Sequence, residues 1–198
     1  MKHTKESLIA FTEKVKQAFL DKRIHCPIHL HGGAEDHLIE VFRGVRPQDW
    51  CFATYRGHLH AILKGIPEEE VFRQICEGRS MFLMSKEHRF LTSAIVGGHL
   101  PMACGVAMTI KRLGLDEMVY VFCGDMCART GIFHEFRSYC AGQGLPVAIV
   151  VENNFFSTDT PTAEAWGSDS ISGRAAIEIN YSYERTQPHC GCGVHVSF

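Results

Sequence analysis

The chain has no excess of positive charge: 20 lysines and arginines stand against 22 aspartates and glutamates, for a formal charge of −2. Without a basic patch or stripe there is no electrostatic footprint for nucleic acid or for an anionic membrane surface. No apolar run approaches the roughly 20 residues needed to cross a bilayer. The opening MKHTKESLIAFTEKVKQAFLDKR is polar and charged rather than a secretion signal. The expectation is a cytoplasmic protein with neither a membrane nor a nucleic-acid partner. Internal repeats and low-complexity segments are missing too. At 198 residues the chain is long enough for one domain with a real core and short for two.

Cysteine is not scarce, but its count makes complete internal pairing impossible. The nine cysteines are an odd number and lie mostly inside apolar segments, where free thiols behave as small hydrophobes. His189-Cys190-Gly191-Cys192 is the one candidate ligand cluster, and it lacks the two-residue gap and second pair that mark zinc sites.

Leu8, Phe11, Val15, Ala18 and Phe19 recur at helical spacing, so residues 1–24 are expected to form a helical leader and residues 25–198 the domain proper. A Gly-rich loop, HLHGGAED, leads into an amphipathic helix, and DWCFATYRGH reads as a short strand with a polar end. Residues 67–77 form a helix with Pro67 in its first turn, three glutamates at its positive end and Gly78 as its stop. From Gly97 the pattern is regular. A helix through PMACGVAMTIKRLG, a strand MVYVFC, a helix from about Thr130 to Ala141, a strand PVAIVVE and a last strand AAIEINY follow one another. Continuous apolar strands alternating with helices predict an α/β fold, a parallel sheet covered by helices on both faces. The segment TDTPTAEAWGSDSISG is long and polar and is expected to be mobile.

In such sheets ligands bind beyond the carboxyl ends of the strands, and Asp125 and Asn154 are the residues that leave two successive strands there. Neighbouring strands lie about 4.8 Å apart, so two short oxygen-bearing side chains can converge on one ion. One carboxylate and one amide oxygen suit magnesium, which commonly takes its other oxygens from a phosphate. The plainer alternative is that Asp125 caps the next helix while the asparagines form a turn.

The Gly124-Asp125 pair followed, after Met126, by Asn153-Asn154 resembles the signature of thiamine diphosphate enzymes, with Met126 where the third residue is usually glycine. Other segments resemble the alpha subunit of the thiamine diphosphate-dependent, decarboxylating first component of 2-oxo acid dehydrogenase complexes. HLHGGAED is similar to HLxxGxEA, YRGH to YRxH, AIVGGHLPMACGVA to GIVGxxxPxAxGxA, and GDMCARTGIFHE to GDGAxxxGxFxE. The similarity runs from about residue 25 to 157.

This resemblance implies that Asp125, Asn154 and the Phe156 carbonyl hold magnesium, and that Tyr55 and Arg56 bind the diphosphate. It implies that Ala94 and Val96 meet the aminopyrimidine through backbone atoms, and that Gly124, Met126 and Cys127 complete the cofactor loop. His29 is implied to lie near the substrate, while Glu135 matches the glutamate of the following helix, where an exposed helix glutamate is the plain reading. Beyond Asn154 a further strand–helix unit of about 30 residues is missing or abridged relative to the family. In the closing NYSYERTQPHCGCG, Glu184 and Thr186 stand at the family's histidine positions, and whether His189 takes their place is open.

The implied partners are a beta subunit carrying the activating glutamate, in a two-plus-two assembly, a lipoyl-bearing acyltransferase and a small 2-oxo acid. The chain alone is expected to be inactive or nearly so. Two alternatives stand beside decarboxylation with acyl transfer: a transketolase-like or acyloin-forming carboligase, and a non-catalytic alpha-like subunit that only binds a partner.

Overall fold

A computed structural model describes residues 3–167 and 177–196. Helix α1 (Lys5–Leu20) begins at a reciprocal cap, in which Thr4 accepts from the Ser7 amide while the Ser7 side chain accepts from that of Thr4. Its apolar stripe is buried along its whole length. That stripe enters the same core as the rest of the chain, packing with Ile28, Leu38, Phe90 and Phe122.

Helix α2 (Glu35–Phe42), strand β1 (Trp50–Thr54) and helix α3 (His58–Leu63) come next. Helix α4 (Glu68–Gln74) starts at Pro67 and runs on into a π-helical turn, Ile75–Arg79, within which Gly78 takes φ +84°. A positive φ of that size costs glycine nothing, and it ends the helix where the sequence predicts. Strands β2 (Met84–Ser85) and β3 (Phe90–Ser93) precede helix α5 (His99–Leu113), which Gly114 stops at φ +64°.

Strand β4 (Val119–Gly124) leads through a 3₁₀ turn at Cys127–Arg129 to helix α6 (Gly131–Gly142), whose N-cap Thr130 accepts from the Phe133 amide. Strand β5 (Val147–Asn153) is buried throughout. After it come a small hairpin, β6 (Phe156–Ser157) and β7 (Thr160–Pro161), a short helix α7 (Thr162–Trp166) and strand β8 (Glu178–Ser182). The expected last strand thus lies partly in place, its first two residues falling outside the described ones. Of the segment expected to be mobile, residues 158–167 form this hairpin and helix, and 168–173 lie outside the described residues.

The six-stranded sheet has the order β2-β3-β1-β4-β5-β8, parallel throughout except for the antiparallel edge pair β2–β3. Side chains alternate across it as the pleat requires. On β4 and β5, Phe122 and Val150 point into a core shared with α1 to α4, while Val121, Cys123, Ile149 and Val151 point into a second core with α5 and α6. Both faces are therefore covered, which explains why these strands read as unbroken apolar runs. No helix among the described residues is long and apolar enough to cross a membrane.

Candidate functional site

The parallel register brings the carboxyl ends of β1, β3, β4, β5 and β8 to one edge of the sheet. The direction of crossover changes between β1 and β4, and a crevice at such a switch point is where α/β sheets bind ligands. A cleft opens there. Its wall includes Tyr55 and Arg56 after β1, Val96 after β3, Gly124 at the end of β4 with Asp125, Met126 and Cys127 beyond it, and Asn154 and Phe156 after β5.

Asp125 is 2% exposed. Burial pushes its carboxyl above the usual range, opposed by the Thr162 hydroxyl, which donates to Oδ2, by the amides of Asp125 and Asn154, and by the Arg129 charge. A carboxylate so desolvated gains from a cation. It does not cap α6, since Thr130 fills that role. The asparagines do make the expected turn: Asn153 Oδ1 accepts from the Phe155 amide at 2.9 Å and Asn154 Oδ1 from the Phe156 amide at 3.0 Å. An amide oxygen has two lone pairs, so this turn fixes the direction of Asn154 Oδ1 and leaves a lone pair for a ligand. Opposite Phe156 in the hairpin sits Pro161, which has no N–H, so strand pairing does not consume the Phe156 carbonyl.

Met126 has φ −72° and ψ −34°, an ordinary right-handed conformation. The backbone there does not require glycine; the methionine side chain instead occupies part of the cleft wall. Cys127 is buried, and a hydrogen bond from the Cys123 thiol pulls its pKa below the ordinary thiol value.

Arg56 is engaged with the protein. Its Nη1 donates to the Leu30 carbonyl at 3.0 Å and its Nη2 to His189 Nδ1 at 2.9 Å. His189 reaches it because the tail folds back over the first glycine-rich loop. The amide of Gly191 donates to the Ile28 carbonyl and that of Thr186 to the Gly32 carbonyl. Gly33, at φ +100°, permits this closure: a Cβ there would lie 2.0 Å from the Glu184 carbonyl oxygen.

Three of the residues named from the sequence lie away from the cleft wall. His29 is buried under the tail, donating through Nδ1 to the His189 carbonyl at 2.8 Å and packing 4.6 Å from the Tyr55 ring. Burial holds its pKa down at about 4, so it is a neutral imidazole. Ala94 is half-buried and is not part of the wall. Glu135 is exposed on α6 beside Pro101 and Tyr139 in a separate surface groove.

Residues that sequence reasoning passed over also line the cleft: His31, Glu152 and Tyr183. Tyr183 follows β8, and its ring stacks on His31 at 5.7 Å. One signal was available, because the tripeptide His-Leu-His occurs twice, at 29–31, where it opens HLHGGAED, and at 58–60, where it begins on the last residue of YRGH.

The sequence pattern of the dehydrogenase E1 component family matches residues 5–180. The chain is 33% identical, over 84% of its length and 53% of the relative's, to the alpha subunit of acetoin:2,6-dichlorophenolindophenol oxidoreductase from Bacillus subtilis (strain 168). It is 29% identical to the alpha subunit of the pyruvate dehydrogenase E1 component from Rickettsia bellii (strain RML369-C), over 78% of the chain and 51% of the relative. To the chloroplastic subunit alpha-3 of that component from Arabidopsis thaliana it is 26% identical, over 86% and 45%. The chain thus spans about half the length of the curated relatives it matches. With residues 5–180 matched, and the strand-end cleft built from the same segments, the chain belongs to the dehydrogenase E1 component family.

Proposed function

We propose that this chain is an alpha-type subunit of a thiamine diphosphate-dependent enzyme that decarboxylates a 2-oxo acid and passes on the acyl group. The observation that carries the reading is Asp125: a buried carboxylate at the end of β4, facing a cleft into which the next strand end also delivers Asn154 and Phe156. The residues fit the group. One carboxylate, one amide oxygen and one backbone carbonyl suit Mg²⁺, whose remaining positions a diphosphate fills. Tyr55 and Arg56 stand across the cleft from them, and a guanidinium fork is suited to phosphate oxygens. Val96 would meet the aminopyrimidine through its backbone.

When bound, the coenzyme supplies a carbanion that attacks the ketone carbon and an electron sink that lets carbon dioxide leave. The protein's part is to position and to exclude water. Ile95 and Val96 are 70% and 58% exposed at the mouth of the cleft, so the described residues leave it open. That supports a beta subunit as the missing cover and as the source of the activating glutamate, in a two-plus-two assembly. A lipoyl-bearing acyltransferase would take the product.

Calorimetry of the chain with its beta partner, thiamine diphosphate and Mg²⁺ tests this reading. Saturable binding that requires Mg²⁺ is expected, and its absence with both chains present would end the proposal. An acyloin in place of the 2-oxo acid is the second reading, supported by the name of the Bacillus subtilis relative, an acetoin oxidoreductase. Reduction of 2,6-dichlorophenolindophenol by the reconstituted pair, with acetoin or with pyruvate as donor, separates the two.

A further inference from the structure

Beneath the cleft, three ionisable side chains from three different elements converge. They are His31 from the loop before α2, His60 from α3 and Glu152 near the end of β5, only 2%, 0% and 6% exposed. His60 Nε2 lies 3.1 Å and His31 Nε2 3.5 Å from the same atom, Glu152 Oε1. One ligand-type atom from each lies within 4.8 Å of the other two. In a tetrahedral complex with bonds near 2.0 Å, neighbouring ligand atoms are about 3.3 Å apart. The two measured separations bracket that spacing.

Hydrogen bonding alone accounts for the cluster poorly. The Tyr181 hydroxyl already donates to Oε1 at 2.5 Å, so both imidazoles would crowd a third and second donor onto one oxygen with two lone pairs. Nδ1 of each imidazole is buried without a partner among the described residues. Nothing on Nδ1 therefore fixes the tautomer, and either Nε2 is free to offer a lone pair. The rings are held by packing instead: His31 stacks on Tyr183 and His60 meets Phe122 edge-on at 4.6 Å. Glu152 and His31 also form part of the cleft wall, which provides an entry path and an open coordination position.

The geometry points to a second cation site in this chain, in which His31, His60 and Glu152 hold a zinc-class divalent ion apart from the Asp125 and Asn154 oxygens. Two imidazoles and one carboxylate suit Zn²⁺, Co²⁺, Ni²⁺ or Fe²⁺ over Mg²⁺ or Ca²⁺. Tyr181 orients the carboxylate from outside the ligand set. With no acceptor for either Nδ1–H among the described residues, the site binds less tightly than a closed structural zinc site. None of this rests on the coenzyme reading.

Titration of the chelator-treated full chain with Co²⁺ alone, followed by visible absorption, tests the site. One equivalent with the d–d bands of a tetrahedral ion and no thiolate charge-transfer band is expected. Tyr181→Phe should weaken binding about tenfold. His60→Phe, which keeps an aromatic ring against Phe122, should lose saturable binding. No saturable binding in the unaltered chain, a thiolate band pointing to Cys190 and Cys192, or full binding by His60→Phe overturns the proposal. Should His60→Phe fail to fold by circular dichroism, X-ray absorption of the unaltered Co²⁺ complex decides: two imidazoles with carboxylate oxygen support the site, and any other ligand set rejects it.

Discussion

The two sides of the cleft differ in how free their polar groups are. On the β4–β5 side, Asp125 and Asn154 are oriented by local hydrogen bonds that leave oxygen lone pairs facing the cleft. On the β1 side, the guanidinium of Arg56 is spent on the Leu30 carbonyl and the His189 ring, through a tail closed over Gly32 and Gly33. On the proposed function, one side is organised for a cation before any ligand arrives. The other would have to exchange protein contacts for ligand contacts, so the affinity of the proposed anion subsite would include the cost of parting from the tail.

The largest effect should come from removing the organised side. Asp125→Ala is expected to abolish Mg²⁺-dependent binding of the coenzyme, a loss of about 2–5 kcal/mol or more, while circular dichroism shows the fold retained. Unchanged affinity by calorimetry would remove the basis for the comparison. Gly33→Ala attacks the other side: the new Cβ collides with the Glu184 carbonyl at a positive φ, and chemical denaturation should show about 2 kcal/mol less stability.

A smaller and opposite change is expected from His189→Ala. It frees Arg56 Nη2, so coenzyme affinity should rise by about threefold, in keeping with a typical net hydrogen-bond contribution. A fall would mean that His189 itself binds the ligand.

The gentlest test is acid. Burial holds His29, on the tail side, and His99, whose Nε2 donates to the Phe122 carbonyl of β4, down at about 4. Below the ordinary histidine value of 6.5 the unfolded chain takes up protons that the folded chain refuses. Stability from these groups is therefore full above that value and drains away as pH falls towards 4. Each contributes a slope of at most about 1.4 kcal/mol per pH unit. Denaturation of His99→Gln across this range should show a slope shallower by one such increment, with no change if the imidazole protonates in place.

The same contrast describes what the sequence disclosed. Strands β4 and β5 and helices α5 and α6 are legible because burial on both faces writes uninterrupted apolar runs, and because Thr130 and Gly114 mark their boundaries. Strand β3 escaped notice: it has four residues, buried only at alternate positions, and follows a polar stretch. Helix α3 is only six residues long and buried on nearly every side, His58 and His60 included, so it shows no apolar–polar period that would register as a helix. Asp125 and Asn154 are local to strand ends, so their convergence follows from one rule of parallel sheets. The meeting of His31, His60 and Glu152 depends on how a loop, a helix and a strand far apart in sequence pack, and no single-segment pattern encodes it. The tail's hold on Arg56 was hidden for the same reason, and it is why His29 lies beneath that tail instead of in the cleft.

The contact between His29 and His189 spans 160 positions of the chain. A growing polypeptide must therefore complete nearly the whole sheet before its first glycine-rich loop can be latched. Such a closure is entropically late, and it leaves the loop near Gly33 open until the residues just past the last strand have been made.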